Sequence, residues 1–145
     1  MKKSFKRKWG QLGLALGIGV SVFGTSIVSQ AADDNNGYTF QIYSYQINTR
    51  DANESAYRQT TSVNNPWKVK LTSSSEGANS ITRFWLERKD ETNVSTAIDK
   101  LEGDPASYLK PYSSANQTTV YLTAQNNNYN LDQYVASGVW DEETW

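Results

Sequence analysis

The side chains in this sequence that could do chemistry are carboxylates, amides and aromatic rings, because the chain has no histidine and no cysteine. That absence excludes zinc fingers, Cys-His and Ser-His-Asp catalysis, redox dithiols and haem ligation. Acid-base work would fall to Asp51, Glu54, Glu76, Glu87, Asp132 and the run Asp141-Glu142-Glu143. A glycosidase needs two carboxyls held across a cleft, and nothing in the spacing of these acids pairs them. They read as solvated surface charge, and no catalytic residue is assigned. Asn126, Asn128, Asn130 and Asp132 fall on the alternate positions a calcium loop would use. Leu131 stands where that loop turns on glycine, and Ser137 stands where it closes on a bidentate glutamate. The segment therefore reads as an Asn-rich connection, with no metal and no other cofactor expected.

The aromatic residues carry more promise. On Ile81 to Arg88, Phe84 and Leu86 share one parity, and on Gln117 to Ala124, Val120, Leu122 and Ala124 share another. If those residues face a core, the two-residue period of a strand sends Trp85 and Tyr121 out of the opposite face. Tyr38/Phe40/Ile42 alternate and then change phase to Tyr43/Tyr45/Ile47, so a bulge or a strand covered on both sides would let Tyr43 and Tyr45 join them. Rigid rings with a polar tip bury large area at small entropic cost, which suits a sugar ring or a protein surface. Trp85, Tyr121, Tyr43 and Tyr45 are thus the candidate binding residues, and a cell-wall glycan or a protein is the expected partner. A secreted antagonist of competitor cells and a small hydrolase are the alternatives.

These residues need strands to hold them, and the sequence supplies several. Trp67, Val69 and Leu71 alternate with Lys68, Lys70 and Thr72 from Pro66 to Thr72, which predicts a strand with Trp67 in the core and both lysines in water. Tyr57 to Thr61 and Tyr134 to Trp140 are weaker strands. Turn residues separate the segments at Asn64-Asn65-Pro66, Ser73 to Asn79, Gly103-Asp104-Pro105 and Asn126-Asn127-Asn128. Val94, Ala97, Ile98 and Leu101 fit the spacing of one short helix, and a strand carrying Val94 and Ile98 fits nearly as well, so this element stays open. Short strands at this spacing predict a mainly β domain, a single antiparallel β-sandwich or barrel-like fold with at most one short helix.

Charge divides the chain in two. Five of its 14 basic residues (Lys2, Lys3, Lys6, Arg7, Lys8) come in the first eight positions, before any of the 15 acids. The remainder has nine bases against those 15 acids, a charge of −6 that argues against nucleic acid as a partner. The basic run, the uncharged apolar stretch Leu12 to Phe23 and the small-residue exit Ser29-Gln30-Ala31 follow the order of a secretory signal. Cleavage after Ala31 is expected to leave one β-rich domain, 32–145, released outside the cell with no stable membrane anchor. Without cysteine that domain must stand on its core alone.

Four strings carry a resemblance: Tyr57-Arg58-Gln59-Thr60-Thr61, Asn64-Asn65-Pro66-Trp67-Lys68-Val69, Tyr121-Leu122-Thr123-Ala124-Gln125-Asn126-Asn127 and Gly138-Val139-Trp140-Asp141-Glu142-Glu143-Thr144. The chain resembles a family of small secreted Gram-positive bacterial proteins classed as a domain of unknown function. The resemblance implies export and a compact domain, and it transfers no functional residue.

Overall fold

A computed structural model describes residues 34–145. The expected signal segment and the expected cleavage after Ala31 lie outside the described residues. Eight strands follow in order: β1 Asn36–Ile42, β2 Thr49–Arg58, β3 Trp67–Ser74, β4 Thr82–Glu87, β5 Ile98–Lys100, β6 Ser107–Leu109, β7 Thr118–Asn126 and β8 Tyr134–Asp141. The one helical turn among the described residues is 3-10, at Ser113–Ala115. The strands form two antiparallel four-stranded sheets, β1-β8-β3-β6 and β2-β7-β4-β5. This is the expected sandwich, and neither sheet closes into a barrel.

The alternation read from the sequence fills the space between the sheets. Tyr38, Phe40 and Ile42 of β1, Trp67, Val69 and Leu71 of β3, and Ala136 and Trp140 of β8 come from one sheet. Phe84 and Leu86 of β4 and Val120, Leu122 and Ala124 of β7 come from the other. The Tyr38 ring meets Phe84 edge-on across the gap, with centroids 5.4 Å apart, an arrangement favoured by ring quadrupoles. Its hydroxyl donates to the Lys70 carbonyl at 3.1 Å, running past Gly138. A Cβ on Gly138 would stand 2.0 Å from that carbonyl and 2.7 Å from the hydroxyl, so only glycine fits there.

Two expectations need correction, and one question left open is answered. β1 stops at Ile42, so Tyr43 to Ile47 are not a second phase of that strand; Tyr45 takes φ 54°, which no extended strand contains. Lys68 is buried rather than wetted: it pairs opposite Asp141 of β8, and Asn35 Oδ1, just before β1, accepts from Lys68 Nζ at 2.7 Å. Val94 to Leu101 is not a helix: Asn93 and Ser95 form isolated bridges to Glu87 and Pro111, and the segment ends in β5. β2 also starts eight residues before Tyr57, at Thr49, with a register shift between Arg50 and Ser55. Thr49 Oγ1 donates to the Gln41 carbonyl at 3.1 Å, so the start of β2 screens part of the free edge of β1.

Candidate functional site

The structure separates the four aromatic candidates into three different settings. Trp85 does turn away from the core, as its parity requires, but it is only 5% exposed. The cause is a roof built from the chain itself. Arg50, Thr123 and Trp85 form one lateral row across β2, β7 and β4, and Tyr121 pairs with Glu87 in the next row. The Arg50 guanidinium lies 4.8 Å from the centroid of the Tyr121 ring. It donates to Glu87 Oε2 at 3.4 Å and to the carbonyls of Arg88 and Lys89 at 2.9 and 3.3 Å. Glu87 Oε1 accepts the Trp85 indole N–H at 2.7 Å. Thr123 and Gln125 of the same face are buried too. Trp85 as an exposed binding residue is therefore corrected to a structural one. Tyr121 is half-buried, with one face of its ring already occupied by a cation.

Tyr43 and Tyr45 belong to the β1–β2 connection, and both are exposed. Three connections converge at this end of the sandwich: β1–β2 (43–48), β3–β4 (75–81) and β7–β8 (127–133). The Tyr45 N–H donates to the Asn130 carbonyl at 2.9 Å, and Gln46 Nε2 donates to Asn127 Oδ1 at 3.1 Å. Glu76 receives Asn130 Nδ2 at 2.8 Å on one carboxylate oxygen, and Asn128 Nδ2 at 3.2 Å together with the Ser80 hydroxyl on the other. Asn128 Oδ1 accepts the Ile81 N–H at 2.7 Å, while Asn126 Oδ1 accepts the Asn128 N–H at 2.8 Å. The alternate Asn residues that mimic a calcium loop thus spend their oxygens and amides on one another and on Glu76. Among the described residues no group of three or more Asp or Glu side chains is placed to hold a metal.

The same connections carry Tyr45 at 55% exposure and Tyr129 at 69%, and Tyr43, Ile47 and Leu131 on them are exposed too. Tyr45 and Tyr129 both take positive φ, 54° and 57°. Bulky residues rarely adopt that conformation, and it persists only where surrounding bonds enforce it. Sequence reasoning missed Tyr129, Leu131 and Ile47. The available signal was an aromatic and a leucine set in a run of asparagines, where a turn has no structural use for either.

The opposite end of the sandwich is closed. Arg58, fully buried at the end of β2, donates to the carbonyls of Glu142, Asn65 and Ser62 and to Asn116 Oδ1. Burial lowers its pKa, and the charges of Glu143, Glu142 and Asp141 oppose that fall. The Glu143 carboxylate accepts the N–H groups of Gln59 and Thr60, each at 2.9 Å. Asn65 Oδ1 accepts Thr144 and Trp145 N–H at 2.9 and 3.2 Å, while its amide donates to the Trp145 carbonyl. Three of the four distinctive strings, 57–61, 64–69 and 138–144, meet in this clasp. Residues 25–144 match a family described as a protein of unknown function, DUF2712. The chain belongs to that family. No curated protein and no solved structure matches it. The strings that carry the DUF2712 resemblance are therefore largely fold-closing residues, which accounts for their lack of recognisable chemistry. Among the described residues no helix is long and apolar enough to cross a membrane.

Proposed function

We propose that this chain is an exported, non-enzymatic β-sandwich module that binds a cell-wall glycan or a protein through its three-loop end. The observation that carries this reading is the exposed set Tyr43, Tyr45, Ile47, Tyr129 and Leu131, on connections tied together by Asn and Glu hydrogen bonds. Tyr, Ser and Asn loops gathered at one end of a β-sandwich are the composition that binding loops use: rigid rings give area, and small polar residues give adaptable hydrogen bonds. Backbone strain at Tyr45 and Tyr129 supports the same reading, because φ is fixed where ring direction matters. The acids also support a non-enzymatic role. Glu76, Glu87 and Glu143 are each engaged by donors of the chain itself. Export rests on the tripartite leader ahead of the domain.

The test is attachment of the purified domain to cell-wall material and to extracted surface proteins. Tyr45→Ala with Tyr129→Ala should weaken attachment by about tenfold or more, the scale of losing an aromatic hot spot, with the melting temperature nearly unchanged. Undiminished attachment by a folded double variant would overturn the assignment of this end. Killing of live indicator cells by the same preparation would favour an antagonist instead.

A further inference from the structure

Between the β3–β4 and β7–β8 connections lies an open hollow of about 240 Å³, lined by Glu76, Asn79, Ser80, Asn128 and Asn130. Sites that enclose a whole drug-sized ligand run to about 300–1,000 Å³, so this one has room for a single ring or side-chain tip of something larger. Its lining is entirely amide, hydroxyl and carboxylate. Glu76 is the charged member. Its Oε1 accepts from Asn130 Nδ2 at 2.8 Å, and its Oε2 accepts from Asn128 Nδ2 at 3.2 Å and from the Ser80 hydroxyl. A carboxylate offers about four acceptor positions, so these donors leave one, on Oε1.

All of those donors are neutral, and among the described residues Glu76 has no ion pair. No lysine or arginine stands in 43–48, 75–81 or 127–133, where Glu76 and Asp132 are the only charged residues and give −2. The first bases beyond these connections are committed elsewhere: Arg83 forks onto Asp99 at 2.7 and 2.9 Å, and Arg50 lies against Glu87. Asn79 is exposed, and its side chain makes no hydrogen bond to another described residue. The turn that carries it is nonetheless held, with Gly77 at φ 107° and the Gly77 and Ser80 N–H groups donating to the Ser74 and Gly77 carbonyls at 3.1 Å each. A calcium ion suits this hollow poorly, since it needs six or more oxygens and Asn128 and Asn130 turn N–H groups toward Glu76.

We propose that this hollow takes the protonated amine of an amino-sugar unit, so that the glycan bound at the three-loop end is one with free amino groups. The ammonium donates a charge-assisted hydrogen bond to the remaining acceptor position of Glu76 Oε1, and ring hydroxyls beside it exchange hydrogen bonds with Asn79. An N-acetylated unit brings a neutral amide and an acyl group in place of that charge. A polymer bearing phosphate or carboxylate meets connections that are themselves negative. A lysine side chain carries the same ammonium, but its methylene stem needs apolar surface to lie along, and this lining has none. The inference rests on the three-loop end being the binding end and adds which glycan that end selects.

The experiment is calorimetric titration of the purified protein with a glucosamine tetramer, its N-acetylated counterpart, a poly(glycerol phosphate) chain and an oligolysine peptide. The free-amine tetramer should bind about tenfold or more tighter than the N-acetylated one, the scale of one charge-assisted hydrogen bond. The phosphate chain should not bind. Glu76→Gln should erase the preference for the free amine, with thermal melting confirming that the variant is folded. Asn79→Ala alters an exposed side chain that the fold does not use, so it serves even where Glu76→Gln fails to fold, and it should weaken the free-amine tetramer about threefold. Equal binding of the two tetramers, a preference that survives both variants, or tight binding of the phosphate chain at this end would each overturn the proposal. Oligolysine that binds through Glu76 more tightly than the free-amine tetramer would overturn it in favour of a basic peptide. The two readings fail separately. Tetramers that bind equally and weaken together in Tyr45→Ala with Tyr129→Ala keep the three-loop end as a glycan site and remove only the role of Glu76. No binding of any probe, with attachment to wall material unchanged in that double variant, sinks both.

Discussion

The two ends of the sandwich are built from the same polar residue types and put them to opposite uses. At the clasp, Arg58, Asn65 and Glu143 spend their side chains mainly on backbone groups of 59–65 and 142–145 and are themselves buried. At the loop end, Glu76, Asn126, Asn128 and Asn130 bond chiefly to one another and to neighbouring loops, and the same loops carry exposed rings. Side-chain bonds to backbone terminate a structure; side-chain bonds among loops make a platform. The difference teaches that an Asn-rich, acid-containing sequence identifies a function only through what its bonds leave exposed.

The comparison can be broken most severely at the clasp. Arg58→Met leaves the Glu142, Asn65 and Ser62 carbonyls and the Glu143 charge without their partner, and should cost about 3–5 kcal/mol, the range for removing one member of a buried charged network. Denaturant unfolding measures it; a loss below about 1 kcal/mol, typical of a surface pair, would mean the clasp is solvated. Trp67→Ala should cost about as much, 3–5 kcal/mol, because it empties a fully buried aromatic site.

The pH dependence comes next. Burial first, and then the neighbouring acids, push Glu142 up to about 7 in the folded domain, against an ordinary value of about 4.3 when unfolded. The folded state then holds the proton more tightly, so this group's stability is fully present below the unfolded value and is lost as pH rises through about 7. The total change is on the order of 3 kcal/mol, and Glu142→Gln should flatten it in urea titrations. Stability that instead rises over this window would contradict the burial of Glu142. Trp85→Ala should cost about 2–3 kcal/mol, since it removes a covered ring and leaves Glu87 short of a donor. The smallest effect belongs to Tyr129→Ala, within about 0.5 kcal/mol as for other surface positions; thermal melting distinguishes the two.

The sequence made the fold legible where one physical rule governed. Strict alternation in β3, β4 and β7 predicted Trp67, Phe84, Leu86, Val120 and Leu122 as core, and all five are buried. It failed where a second layer decided the outcome. Trp85 has the outward parity expected, yet parity does not show that Arg50, some thirty-five residues earlier in the chain, will lie across that face. Lys68 misled for the same reason, since Asn35 reaches it only after β1 has paired with β8. Tyr43 and Tyr45 were found as exposed rings, though on a turn rather than a strand, because a phase change in alternation marks the end of a strand as readily as a bulge. Tyr129 and Leu131 stayed hidden inside a polar run whose neighbours in space come from 45 and 76, positions no local pattern connects.

The central claim, that one end is a platform and the other a clasp, is tested most directly by mapping amide chemical shifts while solubilised wall fragments or a captured surface protein are added to the labelled domain. Shifts confined to 43–48, 75–81 and 127–133, with 58–65 and 141–145 unmoved, are the result this account predicts. Shifts centred on the clasp, or on the face around Tyr121 and Arg88, would contradict it.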